Sequence, residues 1–196
     1  MKIVQAPSSV LSSVANPVEK IDKSIKKLLK DMEKALLAAS DPEGVGLAAP
    51  QIGKSLQIFI VKETPEAELK TFINPVIEDF IDKPEEVQPE PSQSAKTAKA
   101  KKKAGINKGV QLEGCLSLKD IWGVVKRHDG VVLSYQDEKG VAHKRTFDGF
   151  MGVIIQHETD HLNGVLFPKR VLEQKQKLYK SIKNKKNETE FEELEI

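Results

Sequence analysis

The sequence predicts an α+β fold in which mainly antiparallel sheets surround a central helix. Three observations support this prediction: an amphipathic helical segment near the N-terminus, a series of short apolar segments separated by turn residues, and an apolar helical segment towards the C-terminus. Because the predicted strands follow one another between the two helices, antiparallel sheets are favoured over a sheet built from alternating strands and helices.

The first helix is predicted over residues 17–39. Asn16 is the predicted N-cap, with Pro17 at the first helical position and Glu19 completing a capping box. Lysines fill much of one face, and apolar residues recur at helical spacing on the other: Ile21, Ile25, Leu28, Leu29, Met32 and Leu36. The pattern is typical of a helix that packs on the core with one face.

A glycine-rich loop at residues 41–53 precedes the predicted strands. Apolar segments of strand length follow at residues 56–61, 72–80, 110–112, 124–125, 131–135 and 141–147. The residues Asp-Glu-Lys-Gly at 137–140 indicate a hairpin turn. The second helix is predicted from about residue 148 to residue 163, and Gly164 is suited to end it.

Composition limits the classes of function. The chain has 196 residues, which suits one domain, and its net charge of only +2 indicates neither DNA binding nor attachment to a membrane. No apolar run approaches the roughly 20 residues of a membrane-spanning helix. The single cysteine, Cys115, can form no internal disulfide, which favours a cytoplasmic protein. A monomer is the default expectation.

Two charged segments differ from the rest of the chain. Residues 83–108 have almost no large apolar side chains and are predicted to be a flexible insertion. Residues 173–196 are rich first in lysine and then in glutamate, and they are predicted to form a charged surface helix with a frayed tail. The preceding chain, residues 1–172, is predicted to be one domain that carries the function.

The strongest functional signal is the pentapeptide His157-Glu158-Thr159-Asp160-His161. Residues i and i+4 lie on the same face of a helix, so both imidazoles can reach one metal ion. Glu158 can then act as a general base on a water molecule. A hydrolytic metal site of this kind needs a third protein ligand from elsewhere in the chain.

Cys115 is the strongest candidate for the third ligand. A thiolate is a strongly donating ligand, and Gly114 before it allows a close approach of the backbone. Two other interpretations stay open from the residues alone: a small buried apolar side chain, and a nucleophile with a histidine as its base. Ligation is preferred to nucleophilic attack because the HExxH pattern already accounts for both histidines.

Three motifs, in this order, resemble those of the peptide deformylase family. The patterns GxGxAAxQ, EGCxS and HExDH match residues 44–51, 113–117 and 157–161, and the resemblance extends from about residue 3 to residue 172. The sequence departs from the family pattern at Lys119, where proline is common, at Val153, where a basic residue is usual, and near Ser12, where an arginine is missing.

The resemblance implies a hydrolase that removes the N-formyl group from the first methionine of newly synthesised proteins. It implies an Fe²⁺ ion held by Cys115, His157 and His161, with water as the fourth ligand. Zn, Ni and Co are substitutes that the same donors could hold. The implied substrates are N-formylmethionyl nascent peptides.

The resemblance also implies catalytic roles for three other residues. Glu158 would be the acid/base group, and Gln51 together with the backbone N–H of Leu116 would stabilise the oxyanion. Without the resemblance, Gln51 would be interpreted as an ordinary loop glutamine.

Five residues are expected to bind the substrate. Phe150 and Val153 stand seven and four residues before the first histidine of the helix motif, on the same helical face. With Val45 they can form the wall of a pocket for the methionine side chain. Gly46 and Gly114, from the first two motifs, are expected to line the same cleft. A purely structural role in the core is the alternative for Phe150 and Val153.

Two other functions are compatible with parts of the pattern. A different HExxH metallopeptidase would take its third ligand downstream, but little chain remains after His161. A non-catalytic, ribosome-associated paralogue would be expected to have lost Glu158 or a ligand, and all are present. For an active deformylase, the lysines of residues 173–186 indicate a transient ribosome contact, which the acidic end would oppose. The alternative is a solvated tail whose lysines pair with Glu188, Glu190, Glu192 and Glu193. Trp122, near the second motif, is interpreted as a packing residue in preference to a cleft residue.

Overall fold

Two antiparallel sheets form the framework of the protein. The structure is a computed structural model that describes residues 2–39, 43–82, 112–184 and 188–195. Its helices are α1 (Lys23–Leu37), α2 (Gly149–Leu162) and α3 (Phe167–Glu173). Its strands are β1 (Gly46–Ala48), β2 (Ile58–Val61), β3 (Lys70–Ile81), β4 (Leu112–Cys115), β5 (Leu118–Val124), β6 (Gly130–Gln136), β7 (Ala142–Asp148), β8 (Leu178–Lys183) and β9 (Thr189–Glu193).

The strands divide into a five-stranded sheet of order β1-β2-β3-β6-β7 and a four-stranded sheet of order β4-β5-β8-β9. Neighbouring strands in both sheets are antiparallel. The prediction of an α+β fold with antiparallel sheets and few helices is confirmed. Strand β5 begins well before the two residues, 124–125, predicted there, and it ends at Val124.

Strand β2 is buried on both faces. Ile58 and Ile60 belong to the apolar cluster that contains α1, whereas Phe59 and Val61 belong to the cluster that contains α2 and β6. A strand covered on both sides is continuously apolar, because neither face meets water. The two main cores of the protein therefore meet at this strand.

Helix α1 begins later than the predicted residue 17. Its N-cap is Asp22, whose carboxylate accepts hydrogen bonds from the backbone N–H groups of Ser24 and Ile25 at 2.8 and 3.2 Å. Asn16, the predicted N-cap, instead pairs with Leu56 in a parallel bridge. The capping box predicted at residues 16–19 was wrong, because Asn16 is held by its pairing with Leu56, just before β2, and not at the start of a helix.

Helix α2 has nearly the boundaries predicted for it. Asp148 precedes it in an extended conformation, and Asn163 is its C-cap. Gly164 follows with φ of 67°, a left-handed conformation that suits glycine at the end of a helix. The apolar face of α2 packs in the same cluster as β2, β3 and β6, through Met151, Ile154, Ile155 and Leu162.

The C-terminal segment forms a β-hairpin, and the prediction of a charged helix with a frayed tail was wrong. Strand β8 pairs with β5, so that Leu178 lies opposite Gly123 and Tyr179 opposite Trp122. Leu178 is buried, and Leu194 packs against the same apolar cluster. Pairing with a distant strand therefore outweighs the helical preference of this lysine- and glutamate-rich segment.

The insertion predicted at residues 83–108 lies outside the described residues, as do residues 110 and 111 of a predicted strand. In the described ranges, no helix has both the length and the apolar character needed to cross a membrane.

Candidate metal centre and active site

Three potential ligand atoms converge where strand β4 ends beside helix α2. Cys115, His157 and His161 each offer one donor atom, and these atoms lie within 4.8 Å of one another. Cys115 Sγ is 3.2 Å from a ring nitrogen of His161, Nε2. Cys115 and His161 are buried, and His157 is partly buried. The structure therefore brings together the three residues predicted as ligands.

Local and long-range features combine to place these atoms. The pairing of β4 with β5 shifts after Gly114, so that Cys115 lies opposite Leu118 across a tight turn. The two histidines lie one helical turn apart on α2, with ring centroids separated by 5.1 Å. Cys115 also packs against Phe167 and Val171 of α3, the helix that follows α2. This packing joins strand β4 to α3, the helix next in the chain after the one that carries the histidines.

The two histidines are held in different electrostatic surroundings. Burial lowers the pKa of His161 well below its usual value, which keeps its ring neutral and able to bind a metal ion. His157 Nδ1 lies 3.0 Å from Glu113 Oε2. Burial alone would raise the pKa of Glu113, but hydrogen bonds from His157 and Arg127 hold it at about 2. An ionised carboxylate on Nδ1 leaves Nε2 of His157 for a metal ion.

Glu113 belongs to a buried ion-pair network that the sequence analysis did not predict. Arg127 donates to both carboxylate oxygens of Glu113, at 2.8 and 2.9 Å, and to Asp160 at 2.7 Å. Arg170 donates to the other oxygen of Asp160 at 2.7 Å. The position of Glu113, two residues before Cys115 on a strand, could have signalled a shared face. Nothing local in the sequence signals Arg127.

Arg127→Ala is expected to lower the free energy of unfolding by about 3–5 kcal/mol, because it leaves buried carboxylates with fewer partners. Arg127 and Glu113 are each only 8% exposed, so water cannot replace the lost contacts well. Urea unfolding measures the change. Lys126→Ala, at an exposed neighbour, is the control and should stay within about 0.5 kcal/mol of wild type. Equal stability of Arg127→Ala and wild type would show that the network is not stabilising.

The carboxyl group of Glu158 is buried beside the ligand cluster. The residue is only 4% exposed. A Cβ atom at Gly46 would overlap its Oε1, so any other residue there would force the Glu158 carboxyl group to shift. Within the described part of the chain, Glu158 Oε2 is a buried oxygen with no hydrogen-bond partner. Burial raises the pKa of Glu158 to about 7. These properties are typical of a group that transfers protons.

The two predicted oxyanion donors flank Cys115. Gln51 is buried; its Oε1 accepts a backbone hydrogen bond at 2.8 Å, and its Nε2 donates towards Cys115 Sγ at 3.5 Å. Leu116 directly follows Cys115 in the turn between β4 and β5. The N-terminal segment ties these residues together: Val4 N–H donates to the carbonyl of Gln51 at 2.7 Å, and the Gln5 side chain to that of Leu116 at 2.9 Å.

A cavity of about 220 Å³ opens beside the ligand cluster. Gln51, Cys115, Leu116, His157 and Glu158 face it. Its walls also include the five residues predicted to bind substrate, Val45, Gly46, Gly114, Phe150 and Val153.

Two aromatic residues line the cavity for which the sequence left a purely structural role open. Phe150 is 43% exposed, so the alternative of a purely core role is wrong for it. Trp122 also lines the cavity, although it is interpreted from sequence as a packing residue.

Similarity to known proteins extends over most of the chain. The family model described as polypeptide deformylase matches residues 1–177. The chain belongs to the polypeptide deformylase family. Peptide deformylase 1 of Bacillus cereus is 35% identical over 171 residues, which cover 87% of this chain and 92% of the relative. A peptide deformylase of Prochlorococcus marinus is 32% identical over 199 residues, covering 100% and 83%.

Solved deformylase structures have the same fold. A peptide deformylase from Synechococcus elongatus, in complex with actinonin, matches with a TM-score of 0.68 at 31% identity, covering 86% of this chain and 76% of that one. The peptide deformylase from Thermotoga maritima matches with a TM-score of 0.67 at 30% identity, covering 86% and 95%.

Membership of the family establishes the activity. The chain is a metal-dependent hydrolase that removes the N-formyl group from the N-terminal methionine of newly synthesised proteins and releases formate. The set of one cysteine sulfur and two imidazoles, of which Cys115 and His161 are buried, fits a transition-metal ion. Neither a different HExxH metallopeptidase nor a non-catalytic paralogue is favoured by these similarities.

Proposed function

We propose that this deformylase uses one Fe²⁺ ion, bound by Cys115 Sγ and by one ring nitrogen each of His157 and His161. The observation that carries the proposal is the convergence of these donor atoms within 4.8 Å. The contact between His157 and Glu113 supports the same ligand set. Zn, Ni or Co suit the same donors, and Fe²⁺ is the ion implied by the resemblance. When bound, the ion supplies a Lewis acid that acidifies the attacking water and polarises the formyl carbonyl.

Glu158 is the proposed acid/base group. It takes a proton from the attacking water and donates it to the amine that leaves when the formyl C–N bond breaks. Water and the formyl amide are thereby converted into formate and a free N-terminal amine. Glu158 Oε2 supports this role, because it is buried and has no hydrogen-bond partner among the residues that the structure describes.

Gln51 and Leu116 are the proposed oxyanion donors. The Gln51 side-chain amide and the Leu116 backbone N–H would both donate to the oxygen that becomes negative when water attacks the formyl carbon. Their position on either side of Cys115, facing one cavity, supports this role. The hydrogen bonds from Val4 and Gln5 keep the backbone of both residues in place before the substrate binds.

The methionine side chain is proposed to lie against Val45, Phe150 and Val153. These residues give the cavity an apolar wall beside Glu158. Gly46 and Gly114 also line the cavity; because they have no side chains, the Glu158 carboxyl group packs directly against Gly46 and the Trp122 indole against Gly114.

Formate release from the peptide formyl-Met-Ala-Ser by anaerobically purified protein tests the proposed function. The same peptide without the formyl group is the control and should release no formate. Release of formate that depends on the bound metal supports the proposal. Cleavage of the Met-Ala peptide bond, with the formyl group retained, would instead indicate a metallopeptidase.

Residues 1–172 are proposed to form the catalytic domain. Residues 1–172 contain all the proposed catalytic groups, and residues 83–108 contain none, so the latter are proposed to be dispensable for hydrolysis. A monomer suffices, because every proposed ligand and catalytic group comes from one chain. The cytoplasm is the proposed location, because nascent formylated chains are made there.

Contact with the ribosome is proposed to be transient and weak. Lysines of the C-terminal hairpin are matched by acidic residues: Lys177 Nζ lies 2.7 Å from Glu193, and Lys180 lies opposite Glu192. Changing Lys177, Lys180 and Lys183 to Ala should reduce co-sedimentation with ribosomes at low salt, because counterion release drives such binding. Changing Glu190, Glu192 and Glu193 to Ala should increase it. Identical sedimentation of both variants and wild type would contradict the contact.

A further inference from the structure

Trp122 shapes the wall of the cleft although it lies one strand away from Cys115. Gly114 and Trp122 face each other across the pairing of β4 with β5. A Cβ atom at Gly114 would lie only 2.8–3.0 Å from three atoms of the indole ring. The indole therefore covers the backbone immediately before Cys115, and its position determines where this wall of the cavity lies.

A second aromatic ring supports the indole. Phe191 of β9 meets Trp122 edge to face, with ring centroids 5.7 Å apart and an interplanar angle of 81°. This arrangement is favourable for two aromatic rings. Phe191 is absent from the described residues that line the cavity, so its influence on the cleft passes through Trp122.

The hairpin that carries Phe191 is held firmly on the core. Leu178 is buried, and its carbonyl accepts a hydrogen bond from Leu194 N–H at 2.9 Å. Lys177, the residue before β8, forms an exposed ion pair with Glu193 of β9. The hairpin begins at Leu178, just beyond residue 177, where the match to the family model ends. A segment outside the matched region thus reaches the cleft through one aromatic pair.

We infer that Phe191 is a positioning residue that holds the Trp122 indole against Gly114, where the indole contacts the bound formyl-peptide and sets its affinity. The inference rests on the proposed function, because it concerns the same cleft. A broad, rigid ring that is fixed before the peptide arrives binds at a smaller entropic cost. Loss of Phe191 therefore weakens peptide binding without removing any group that breaks the formyl C–N bond.

Phe191→Ala tests this inference in the metal-loaded enzyme. Trp122 is the only tryptophan in the chain, so tryptophan fluorescence reports on the indole directly. The emission should shift to the red and become easier to quench with acrylamide. The KM for formyl-Met-Ala-Ser should rise roughly 2- to 10-fold, the range of one aromatic pair, while kcat stays near that of wild type. Phe191→Leu should restore part of both properties, and Glu192→Ala, at an exposed neighbour on β9, should change neither.

A mutant cycle shows whether Phe191 acts through Trp122. In a Trp122→Ala background, Phe191→Ala should raise KM no further. Three results would each overturn the inference. Phe191→Ala could leave the emission unchanged, it could alter the emission but not the KM, or it could raise the KM equally in the wild-type and Trp122→Ala backgrounds. If melting curves show that Phe191→Ala does not fold, the same cycle with Phe191→Leu tests whether Phe191 acts through Trp122. A wild-type enzyme that released no formate would contradict the proposed function, while the fluorescence comparison would still decide whether Phe191 positions the indole.

Discussion

Glu158→Gln is expected to keep the bound metal ion and to lose formate release by about 10²–10⁴-fold, the usual contribution of a general acid/base group. The glutamine amide has the size of the carboxyl group that it replaces, and residue 158 is not among the proposed ligands, so the metal site should stay intact. It cannot take a proton from water, which is the step assigned to Glu158. Steady-state formate release and metal content per chain, measured on the same preparation, check both parts.

Glu138→Gln is the matched control for this substitution. Glu138 is exposed in the turn between β6 and β7 and is not among the residues that line the cavity, and the change of charge is the same. It should leave both activity and metal content unchanged. If Glu158→Gln kept more than about a tenth of wild-type turnover, the acid/base assignment would be wrong, because a typical contribution is at least about 100-fold.

Cys115→Ala is expected to reduce metal affinity by more than about 100-fold and to abolish activity. Loss of a residue that only orients a ligand typically costs 10–100-fold in metal affinity, and loss of a ligand should cost more. Cys115→Asp should retain part of both properties, because a carboxylate can bind the same ion.

With Fe²⁺ bound, wild-type activity should decay in air and persist under argon, because both the thiolate and the iron can be oxidised.

Val171→Ala separates the loss of a ligand from the loss of packing. Val171 is buried in the same apolar cluster as Cys115, so its truncation leaves a similar defect without removing a donor atom. It should lower stability but retain the metal ion. Mass spectrometry of wild-type enzyme during turnover gives a second test, since a formyl thioester on Cys115 would establish the nucleophile interpretation instead of ligation.

Short-range features of the fold were predictable because the interactions that form them are local. Asp148 and Gly164 are close in sequence to the ends of α2, and the spacing of His157 and His161 alone puts both rings on one helical face. The continuous apolar run of β2 likewise reflects its burial on both faces. Gln51 and Leu116 were identified only through the family motifs, because a loop glutamine and a backbone N–H have no chemical signature in sequence.

Sequence prediction failed where the same residues suit two different local structures and a contact with a distant part of the chain selects one of them. Asn16 and Asp22 are both suitable N-caps, and pairing of Asn16 with Leu56 leaves the role to Asp22. The lysines and glutamates after residue 173 suit a helix as well as a hairpin, and pairing of Leu178 with Gly123 selects the hairpin.

The sequence by itself determined the helix that carries the two histidines and Glu158. Through the family motifs it also determined Cys115 as the third ligand candidate. Only the tertiary structure decided how the site is held. It paired Arg127 with Glu113 and Asp160, and it placed Trp122 in the wall of the cleft with Phe191 packed against it. The physical reason is range: helix spacing and caps depend on residues a few positions apart, whereas buried ion pairs and aromatic contacts depend on which strands become neighbours.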